Sequence, residues 1–560
     1  MSCCESQLRI VSLTLEGSKV NRRTFLKATT LAAAAVSCNG MPVIAATKRR
    51  KPNFVIILAD DMGFSDAGCY GGEIETPVFD SLAAGGTRYT GMYSAGRCGP
   101  SRSCLMTGMY AQQTSADVMT PGKIPDYVSF IPQHLKKEGY RSYHSGKWHL
   151  RIDPLAEGVG FDHSYTMLDE WRFFTQKKHE LDDTLLPPPP EGYYSTTAIA
   201  DYAVGFLKEH QEQHSSEPFF LYIAFHAPHF PLQAPQEDID QYRGRFDDGW
   251  DKMRERRHKK MLQMGLVNCG LAKMEPDVYP PWNQPESELI KLEGPGEVAR
   301  AVPWDTLNDE QKKFESMKMS IHAAMVTRMD KETGKIIDQI KSMGQFDDTV
   351  IIFLSDNGAS AEELIRGDGH DRNAPPGSAK THLSIGPGWA TASDTPLRLH
   401  KSYVHEGGIA SPFIVHWTNG LKNKGKLRHD VCHFVDIAPT FVELAGGGAK
   451  QDGGGWTGKC LAPTIVTNSP VDRPYLYFNH ANNRALRTKD WKLIARGQTG
   501  PWELYDMKVD RCEQKDLASA KPELAKSMED QWSQADRSYA QQRDAAKTTT
   551  LKMGPKSNGA

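Results

Sequence analysis

The sequence predicts an α/β fold in which a large, mostly parallel or mixed sheet is sandwiched by helices and is followed by a smaller domain. Three continuous apolar runs, at residues 53–59, 219–225 and 349–354, indicate buried strands of the large sheet. Helical patterns lie between these runs, and the clearest of them places on one face Met317, Ile321, Ala324, Met325, Met329, Ile336, Ile337 and Ile340. Alternation of buried strands with helices is typical of a sheet that is covered on both faces.

The chain changes in character near residue 446, where a glycine-rich segment ends the main domain of residues 51–445. Short strand-like runs follow at 474–478, 491–495 and 502–505, and a polar helical pattern follows at 517–532. We therefore predict a smaller C-terminal domain over residues 446–545, with an antiparallel sheet and a helix. The polar residues 546–560 are predicted to be a disordered tail.

The composition excludes several classes of function. The 560 residues carry 67 Lys and Arg against 69 Asp and Glu, for a formal net charge of −2. Such a balance is not that of a basic nucleic-acid-binding protein. No segment after the N-terminal region is long and apolar enough to span a bilayer, so no membrane span is predicted.

The N-terminal residues 1–45 have the pattern of an export signal. Arg22 and Arg23 precede a short apolar stretch, residues 28–36, and residues 43–46 offer a small-residue cleavage site. The arginine pair followed by Phe-Leu-Lys resembles a twin-arginine signal. An amphipathic or disordered N-terminal arm and a lipid anchor at Cys38 are the alternatives. We expect the mature protein to be exported, to the periplasm or outside the cell.

The cysteine count poses a question. Of ten cysteines, three lie in the predicted export signal, which leaves seven: Cys69, Cys98, Cys104, Cys269, Cys432, Cys460 and Cys512. An odd number of thiols in an exported protein calls for an explanation.

Acidic and amide side chains follow two of the predicted strands. Asp60 and Asp61 come directly after the first run, and Asp356 and Asn357 follow the run at 349–354. The carboxyl ends of parallel strands form the binding crevice of open α/β sheets, so these residues are expected to converge. Oxygen ligands without a zinc-type Cys or His pair favour Ca²⁺ or Mg²⁺. For Asp60 and Asp61 alone, a role as loop or cap residues is an equally good interpretation.

Cationic and imidazole side chains follow two further runs. The run at 219–225 leads to His229, and a shorter one near 140–144 leads to Lys147 and His149. Each of these residues taken singly is more often structural or a solvated charge. Beside a divalent cation, however, they fit recognition of a tetrahedral oxyanion ester, in which Lys supplies charge and His donates a proton.

Cys98 is predicted to begin a helix, because Pro100 is favoured in a helix's first turn. A helix N-terminus attracts anions. The run of residues 98–102, Cys-Gly-Pro-Ser-Arg, followed by Leu105, Thr107 and Gly108, resembles the signature of type I sulfatases, which are formylglycine-dependent enzymes of the alkaline phosphatase-like superfamily. The resemblance extends over about residues 52–510, and the further segments that match in order are 60–63, 146–150, 227–229, 355–358, Lys401 and 406–408. Residues 242–251 and 385–390 look most like bacterial arylsulfatases.

The resemblance implies a sulfuric ester hydrolase of arylsulfatase type. Cys98 would be oxidised to formylglycine by a formylglycine-generating enzyme, and its hydrate would attack sulfur. One divalent cation, Ca²⁺, would be held by Asp60, Asp61, Cys98, Asp356 and Asn357. The other catalytic roles fall to Arg102, Lys147, His149, His229 and Lys401: the two lysines would bind sulfate oxygens, His229 would protonate the leaving group, and Arg102 and His149 would hold the hydrate. Consumption of Cys98 would leave six thiols.

The substrate would be a sulfated small molecule or a sulfated glycan. Two other interpretations remain at this stage. The first is a phosphonate or phosphate monoester hydrolase of the same fold. The second is a sulfated-glycan-binding protein in which Cys98 stays unmodified.

Overall fold

The strands fall where the apolar runs predict them, together with shorter ones that the sequence does not reveal. The structure, a computed structural model, describes residues 51–115, 123–150, 152–422, 424–448, 455–550 and 552. The predicted export signal and residues 553–560 lie outside this range. In chain order the strands are β1 Asn53–Ala59, β2 Thr87–Tyr93, β3 Lys123–Pro125, β4 Arg141–Lys147, β5 His163–Met167, β6 His179–Leu181, β7 Thr184–Leu185, β8 Phe219–Ala224, β9 Thr349–Ser355, β10 Ala410–His416, β11 Lys426–Arg428, β12 Cys432–His433, β13 Leu476–His480, β14 Asn483–Arg487, β15 Trp491–Ala495, β16 Glu503–Asp506 and β17 Thr548–Thr550.

The helices alternate with these strands, as predicted. In chain order they are α1 Pro77–Gly85, α2 Cys98–Thr107, α3 Ala111–Thr114, α4 Ile131–Lys137, α5 Ser195–Gln213, α6 Gln236–Asp240, α7 Gly249–Gln263, α8 Glu286–Glu293, α9 Asp309–Ser342, α10 Gly386–Ser393, α11 Glu406–Ile409, α12 Ile437–Leu444, α13 Ala462–Thr467 and α14 Pro522–Ala545. Among the described residues, no helix is both long and apolar enough to cross a membrane.

The large sheet is mixed, with a parallel centre. Its order is β11-β2-β10-β9-β1-β8-β4-β5-β6-β7, and β12 also pairs with β2. Strands β9, β1, β8, β4 and β5 pair in parallel, whereas β10 runs antiparallel to β9 and to β2. Five parallel strands therefore end at the same edge, and the sequence predicts functional residues at the ends of four of them, β9, β1, β8 and β4.

Both faces of the large sheet are buried, which explains the continuous apolar runs. In β1, Val55 and Ile57 contribute to the core on one face, while Phe54, Ile56 and Leu58 contribute to the core on the other. The first core includes the buried side of α9, and the second includes α4 and α12. A strand covered by helices on both faces has no polar side to show. The predicted fold class is confirmed.

The C-terminal sheet is antiparallel, with the order β13-β14-β15-β16. Helix α14 packs on it through Met528, Trp532 and Ala535, and the Trp532 indole donates a hydrogen bond of 3.0 Å to the Phe478 carbonyl oxygen. Residues 51–560 form one compact unit. The boundary at residue 446 stays a prediction.

The prediction of a disordered tail from residue 546 is wrong for Thr548–Thr550. These β-branched residues form β17, which pairs antiparallel with β3 and sets Thr548 opposite Pro125. Lys552 continues the attachment through an ion pair of 2.9 Å with Asp153. The extended conformation of this segment depends on pairing with a strand that is far away in sequence. The segment's polar composition therefore does not predict it.

Two of the seven mature cysteines are paired. Cys269, after α7, forms a disulfide with Cys512, after β16, across a sequence separation of 243 residues. The free thiols are Cys69, Cys98, Cys104, Cys432 and Cys460. The disulfide therefore joins the main sheet's loops to the C-terminal segment.

Replacing both Cys269 and Cys512 by Ala is expected to lower the free energy of unfolding by about 2–4 kcal/mol, because the bond restricts the unfolded chain. Chemical denaturation with and without a reductant measures the effect. Cys460→Ala, which removes a free thiol, is the matched control. A wild-type midpoint that does not respond to reductant would contradict the prediction.

Candidate active site

The ends of four neighbouring parallel strands bring the predicted residues together. β9, β1, β8 and β4 lie side by side in the sheet. Beyond or at their carboxyl ends stand, in that order, Asp356 and Asn357, Asp60 and Asp61, His226 and His229, and Lys147. Backbone hydrogen bonds tie these ends together, since Asp356 N–H donates to Ala59 O at 3.1 Å and Asp60 N–H donates to Ala227 O at 3.1 Å.

The two adjacent aspartates stay at the same edge of the sheet, and each contacts its own lysine. Asp61 adopts a left-handed conformation, with φ of 64°. A non-glycine residue at such a φ is uncommon and concentrates at functional sites. As a result Asp60 faces Lys147, with Nζ 2.7 Å from Oδ2, while Asp61 faces Lys401, with Nζ 2.8 Å from Oδ2. All four side chains are buried.

Lys401 reaches the site because a tight backbone contact holds its loop. Lys401 N–H donates to Ala359 O at 3.0 Å, and Gly358 N–H donates to Gly408 O at 3.1 Å. A Cβ on Gly358 would collide with the Gly407 carbonyl oxygen, so only glycine permits this approach. The segment after Asn357 and the segment after Lys401 are thereby locked together.

Each lysine also contacts a glutamate that the sequence did not reveal. Glu170 Oε2 lies 3.2 Å from Lys147 Nζ, and Glu362 Oε2 lies 2.8 Å from Lys401 Nζ. Both glutamates are buried. They occur in irregular segments with no periodicity, and the only available signal was the position of Glu362 shortly after Asn357.

These contacts decide which groups carry charge. Burial alone would raise the pKa of Asp60, but Lys147 and neighbouring cations hold it well below its usual value. Burial would lower the pKa of Lys147, but Asp60 and Glu170 raise it well above its usual value. Burial raises the pKa of Asp61, and burial together with the charge of Asp60 raises that of Asp356. The positive charge near Asp61 and Asp356 is therefore too small to offset the effect of burial on the pKa of these two carboxyls.

Cys98 is the first residue of α2, as predicted, and it is buried. Burial raises the pKa of its thiol, although Lys147 and Lys401 act in the opposite direction. From the next turn of the helix, Arg102 donates two hydrogen bonds to Asp356 Oδ2, at 2.8 and 3.1 Å, and lies 3.4 Å from Asp60 Oδ2. A buried thiol that is protonated is a weak nucleophile.

His229 and His149 both line the site. His229 Nδ1 lies 2.5 Å from the Phe230 carbonyl oxygen, so this nitrogen carries a proton and Nε2 faces Asp61 Oδ2 at 3.5 Å. Burial and Lys401 lower the pKa of His229 to about 3. Burial lowers that of His149 to about 4, its Nδ1 has no hydrogen-bond partner, and its φ is 54°.

The donor set fits a hard divalent cation. Ligand atoms of Asp60, Cys98 and Asp356 lie within 4.8 Å of one another, as do those of Asp60, Asp61 and His229. Asp60 Oδ1 and the amide oxygen of Asn357 are buried without a hydrogen bond, and Asp60 Oδ2 has only its ion-pair contacts with Lys147 and Arg102. The Asn357 amide nitrogen donates to Asp61 Oδ1 at 2.7 Å, which turns its oxygen toward the cluster. A hard divalent cation would bind these inward-facing oxygens and would balance the negative charge of the carboxylates.

Every predicted site residue thus lies in one cluster. Trp389 and His405, which lie close in sequence to the matching segments, are buried in the core. His226 stacks on Phe173 with ring centroids 4.8 Å apart.

Comparison with known proteins identifies the family. The family model described as sulfatase matches residues 52–447, more than half of the chain. The chain belongs to the sulfatase family. A second model, for the C-terminal part of N-sulphoglucosamine sulphohydrolase, matches residues 398–538. This sulfatase is a hydrolase of sulfate esters, as the sequence predicted.

Relatives of this sulfatase include an uncharacterised sulfatase of Schizosaccharomyces pombe, 30% identical over 539 residues, with 86% of this chain and 93% of that protein covered. An arylsulfatase of Klebsiella aerogenes is 30% identical over 440 residues, with 72% and 88% covered. A structure solved with k-i-k-neocarrahexaose has a TM-score of 0.63 at 24% identity, covering 88% of this chain and 94% of that one. A structure solved with D-glucosamine-2-N,6-O-disulfate has a TM-score of 0.60 at 20% identity, covering 88% and 98%. These two structures share the fold.

Adding a hard divalent cation such as Ca²⁺ to metal-free protein is expected to raise its thermal midpoint, because the carboxylate cluster is assembled only in the folded chain. Saturation a hundredfold above Kd corresponds to about 2.7 kcal/mol. Asp356→Asn should lose most of this rise together with turnover. The matched control is Asp330→Asn, a buried aspartate that accepts hydrogen bonds from the N-terminus of α1. An equal Ca²⁺ response in Asp356→Asn would contradict the assignment.

Proposed function

We propose that Cys98 is oxidised to formylglycine and that this residue and one Ca²⁺ form the reactive centre of sulfate ester hydrolysis. Asp60, Asp61, Asp356, Asn357 and the modified residue 98 would hold the ion, since oxygen ligands favour Ca²⁺ over softer metals. The observation that carries the proposal is the position of Cys98 Sγ, within 4.8 Å of carboxylate oxygens of both Asp60 and Asp356. A thiol is a poor partner for two carboxylates, whereas an oxygen ligand formed at the same position would share a hard cation with them.

When bound, the cation would polarise the sulfate oxygens, and the hydrated aldehyde of residue 98 would supply the nucleophilic hydroxyl together with a second hydroxyl for release of sulfate. The chain's own residues position the ester. Lys147 contacts Asp60 and Lys401 contacts Asp61, so both ammonium groups lie beside the carboxylate cluster and can bind the free sulfate oxygens. Arg102 fixes Asp356 and holds residue 98 from the same helix.

His229 and His149 are assigned the two proton transfers of the reaction. Because His229 Nδ1 keeps its proton in the hydrogen bond to the Phe230 carbonyl, Nε2 can give a proton to the leaving oxygen only from the imidazolium form, in which both ring nitrogens are protonated. An anionic sulfate placed between His229 and the lysines would offset their charge and raise the pKa of His229 from its low value. His149, whose Nδ1 is buried without a partner, would accept the proton of the second hydroxyl.

The proposal implies a partner and a substrate class. A formylglycine-generating enzyme must act on Cys98. The named relatives include an arylsulfatase and an N-acetylglucosamine-6-O-sulfatase of Bacteroides thetaiotaomicron, which is 25% identical over 556 residues. We propose that this chain cleaves sulfate monoesters, with aryl sulfates as reporters and sulfated glycans as natural substrates.

We also propose that the protein is exported through the twin-arginine route. Arg22-Arg23 and the apolar stretch after them support this. The Cys269–Cys512 disulfide agrees with an oxidising destination such as the periplasm or the cell exterior.

Mass spectrometry of the tryptic peptide Cys98–Arg102 from active protein is expected to show the aldehyde or its hydrate. Cys98→Ala should lower turnover of an aryl sulfate by at least about 10³-fold, because it removes the nucleophile.

The matched control is Cys104→Ala, which removes a second buried thiol of the same helix and should retain turnover and the formylglycine mass. Fully active protein that contains only unmodified cysteine at position 98 would overturn the proposal.

A further inference from the structure

A groove of about 390 Å³ opens beside the active site. We call it the aromatic groove, and it is lined by the segment Asp277–Trp282, by Ser402 and Tyr403, and by Ala481, Asn483, Arg496 and Gly497 of the C-terminal sheet. Three segments distant in sequence therefore build it. Nothing in the catalytic arrangement above uses these residues.

The aromatic groove adjoins the reactive centre through side-chain contacts. Ser402 follows Lys401, and its hydroxyl accepts a hydrogen bond of 3.2 Å from Arg97, the residue before Cys98. The Arg97 guanidinium lies over the Trp282 ring, 5.1 Å from its centroid. The Trp282 indole donates at 2.7 Å to Glu362, the glutamate that pairs with Lys401. A group attached to a sulfate between the lysines would extend toward this groove.

Two exposed aromatic rings mark the groove as a binding surface. Tyr279 is 42% exposed and Trp282 is 36% exposed. Of the large hydrophobic side chains that the described part of the chain exposes, these two are the only aromatic ones. Aromatic rings normally bury their faces, and exposed ones concentrate at sites of binding.

We propose that the aromatic groove binds the sugar rings next to the sulfated residue of an anionic oligosaccharide. A sugar ring has an apolar C–H face, which packs on an aromatic ring, and a rim of hydroxyls, which needs polar neighbours. Arg496 lines the groove and Arg97 lies over Trp282. Each pairs with one glutamate, at 3.7 and 3.4 Å, and keeps part of its side chain exposed, which suits contact with the sulfates of an anionic chain. Asp277, an acidic residue of the groove, pairs with Arg300, so its negative charge is compensated. This inference rests on the proposed function, since it names the substrate class of the same site.

The test compares a small ester with sulfated oligosaccharides. Wild-type protein is assayed on 4-nitrophenyl sulfate and on oligosaccharides prepared from chondroitin sulfate, heparin and carrageenan. For the oligosaccharide that is cleaved, Tyr279→Ala and Trp282→Ala should each lower kcat/KM by about fivefold to tenfold, mainly through KM, because each removes a stacking surface. Tyr279→Ala should leave cleavage of 4-nitrophenyl sulfate unchanged.

Trp282→Phe separates stacking from the hydrogen bond to Glu362, and it should recover most of the oligosaccharide activity. Val509→Ala, at an exposed apolar residue outside the groove, is the matched control. Equal losses on both substrates in Tyr279→Ala would overturn the groove proposal, as would aryl sulfate cleavage with no cleavage of any oligosaccharide. Absence of activity on every sulfate ester would instead overturn the proposed function.

A second inference comes from the buried ion pairs. Lys147 contacts Asp60 and Glu170, and Lys401 contacts Asp61 and Glu362. Each lysine thus faces two carboxylates, so the pair contributes much less net positive charge than two unpaired lysines. A phosphate monoester carries close to two negative charges at pH 7, whereas a sulfate monoester carries one.

We infer that Glu170 and Glu362 act as positioning residues that set a preference for singly charged sulfate over doubly charged phosphate. Removing one buried negative charge beside the ester would favour the dianion, because the interaction of charges is strong where water is excluded. Arg97 shares Glu362 with Lys401, at 3.4 Å from Oε1, so this carboxylate is held in place from two sides.

The readout is the ratio of kcat/KM for 4-nitrophenyl sulfate to kcat/KM for 4-nitrophenyl phosphate. Glu362→Gln and Glu170→Gln should each lower this ratio by about tenfold. The matched control is Glu363→Gln, a neighbouring buried glutamate that faces Lys318 at 3.6 Å and should keep the wild-type ratio. An unchanged ratio in both test variants would overturn the inference, whereas a wild-type preference for phosphate would overturn the sulfatase assignment itself.

Discussion

Two adjacent carboxylates, buried at the end of the central strand, are the constraint on which the rest of the site depends. Asp60 and Asp61 are both almost without solvent exposure. Burying an unpaired charge is so unfavourable that each carboxylate requires its own cation. Lys147 and Lys401 meet that need at 2.7 and 2.8 Å, and these lysines, buried in turn, are held by Glu170 and Glu362. The alternating charges form one connected network.

The network requires an unusual backbone. If Asp61 had the extended conformation of β1, its side chain would point away from Asp60 across the sheet; the left-handed φ of 64° instead keeps both at the same edge. His149, at the end of β4, has φ of 54°. Strained conformations persist where the surrounding structure determines them. Here β1 is paired on both sides, by β8 and β9, directly beneath the strained residue.

The sequence predicted the parts that depend on strands and missed the parts that depend on loops. The apolar runs of β1, β8 and β9 are continuous because both faces of the sheet are covered, and their ends located Asp60, His229 and Asp356. Glu170, Trp282 and the aromatic groove lie in irregular segments whose position is set by contacts distant in sequence. The pairing of β17 with β3 was missed for the same reason. Local patterns carry no information about such contacts.

The number of cysteines predicts less about Cys98 than its position in the structure does. An odd number of mature thiols drew attention to Cys98, yet the structure pairs only Cys269 with Cys512 and leaves five free thiols. The odd number of mature thiols therefore does not identify any one residue. Position does: Cys104 and Cys432 belong to a hydrophobic core, whereas Cys98 is the one free thiol of the described residues that lies with two carboxylates in a group able to hold a metal ion. A thiol among hard oxygen ligands is mismatched in chemistry, and conversion of that thiol to an oxygen group removes the mismatch.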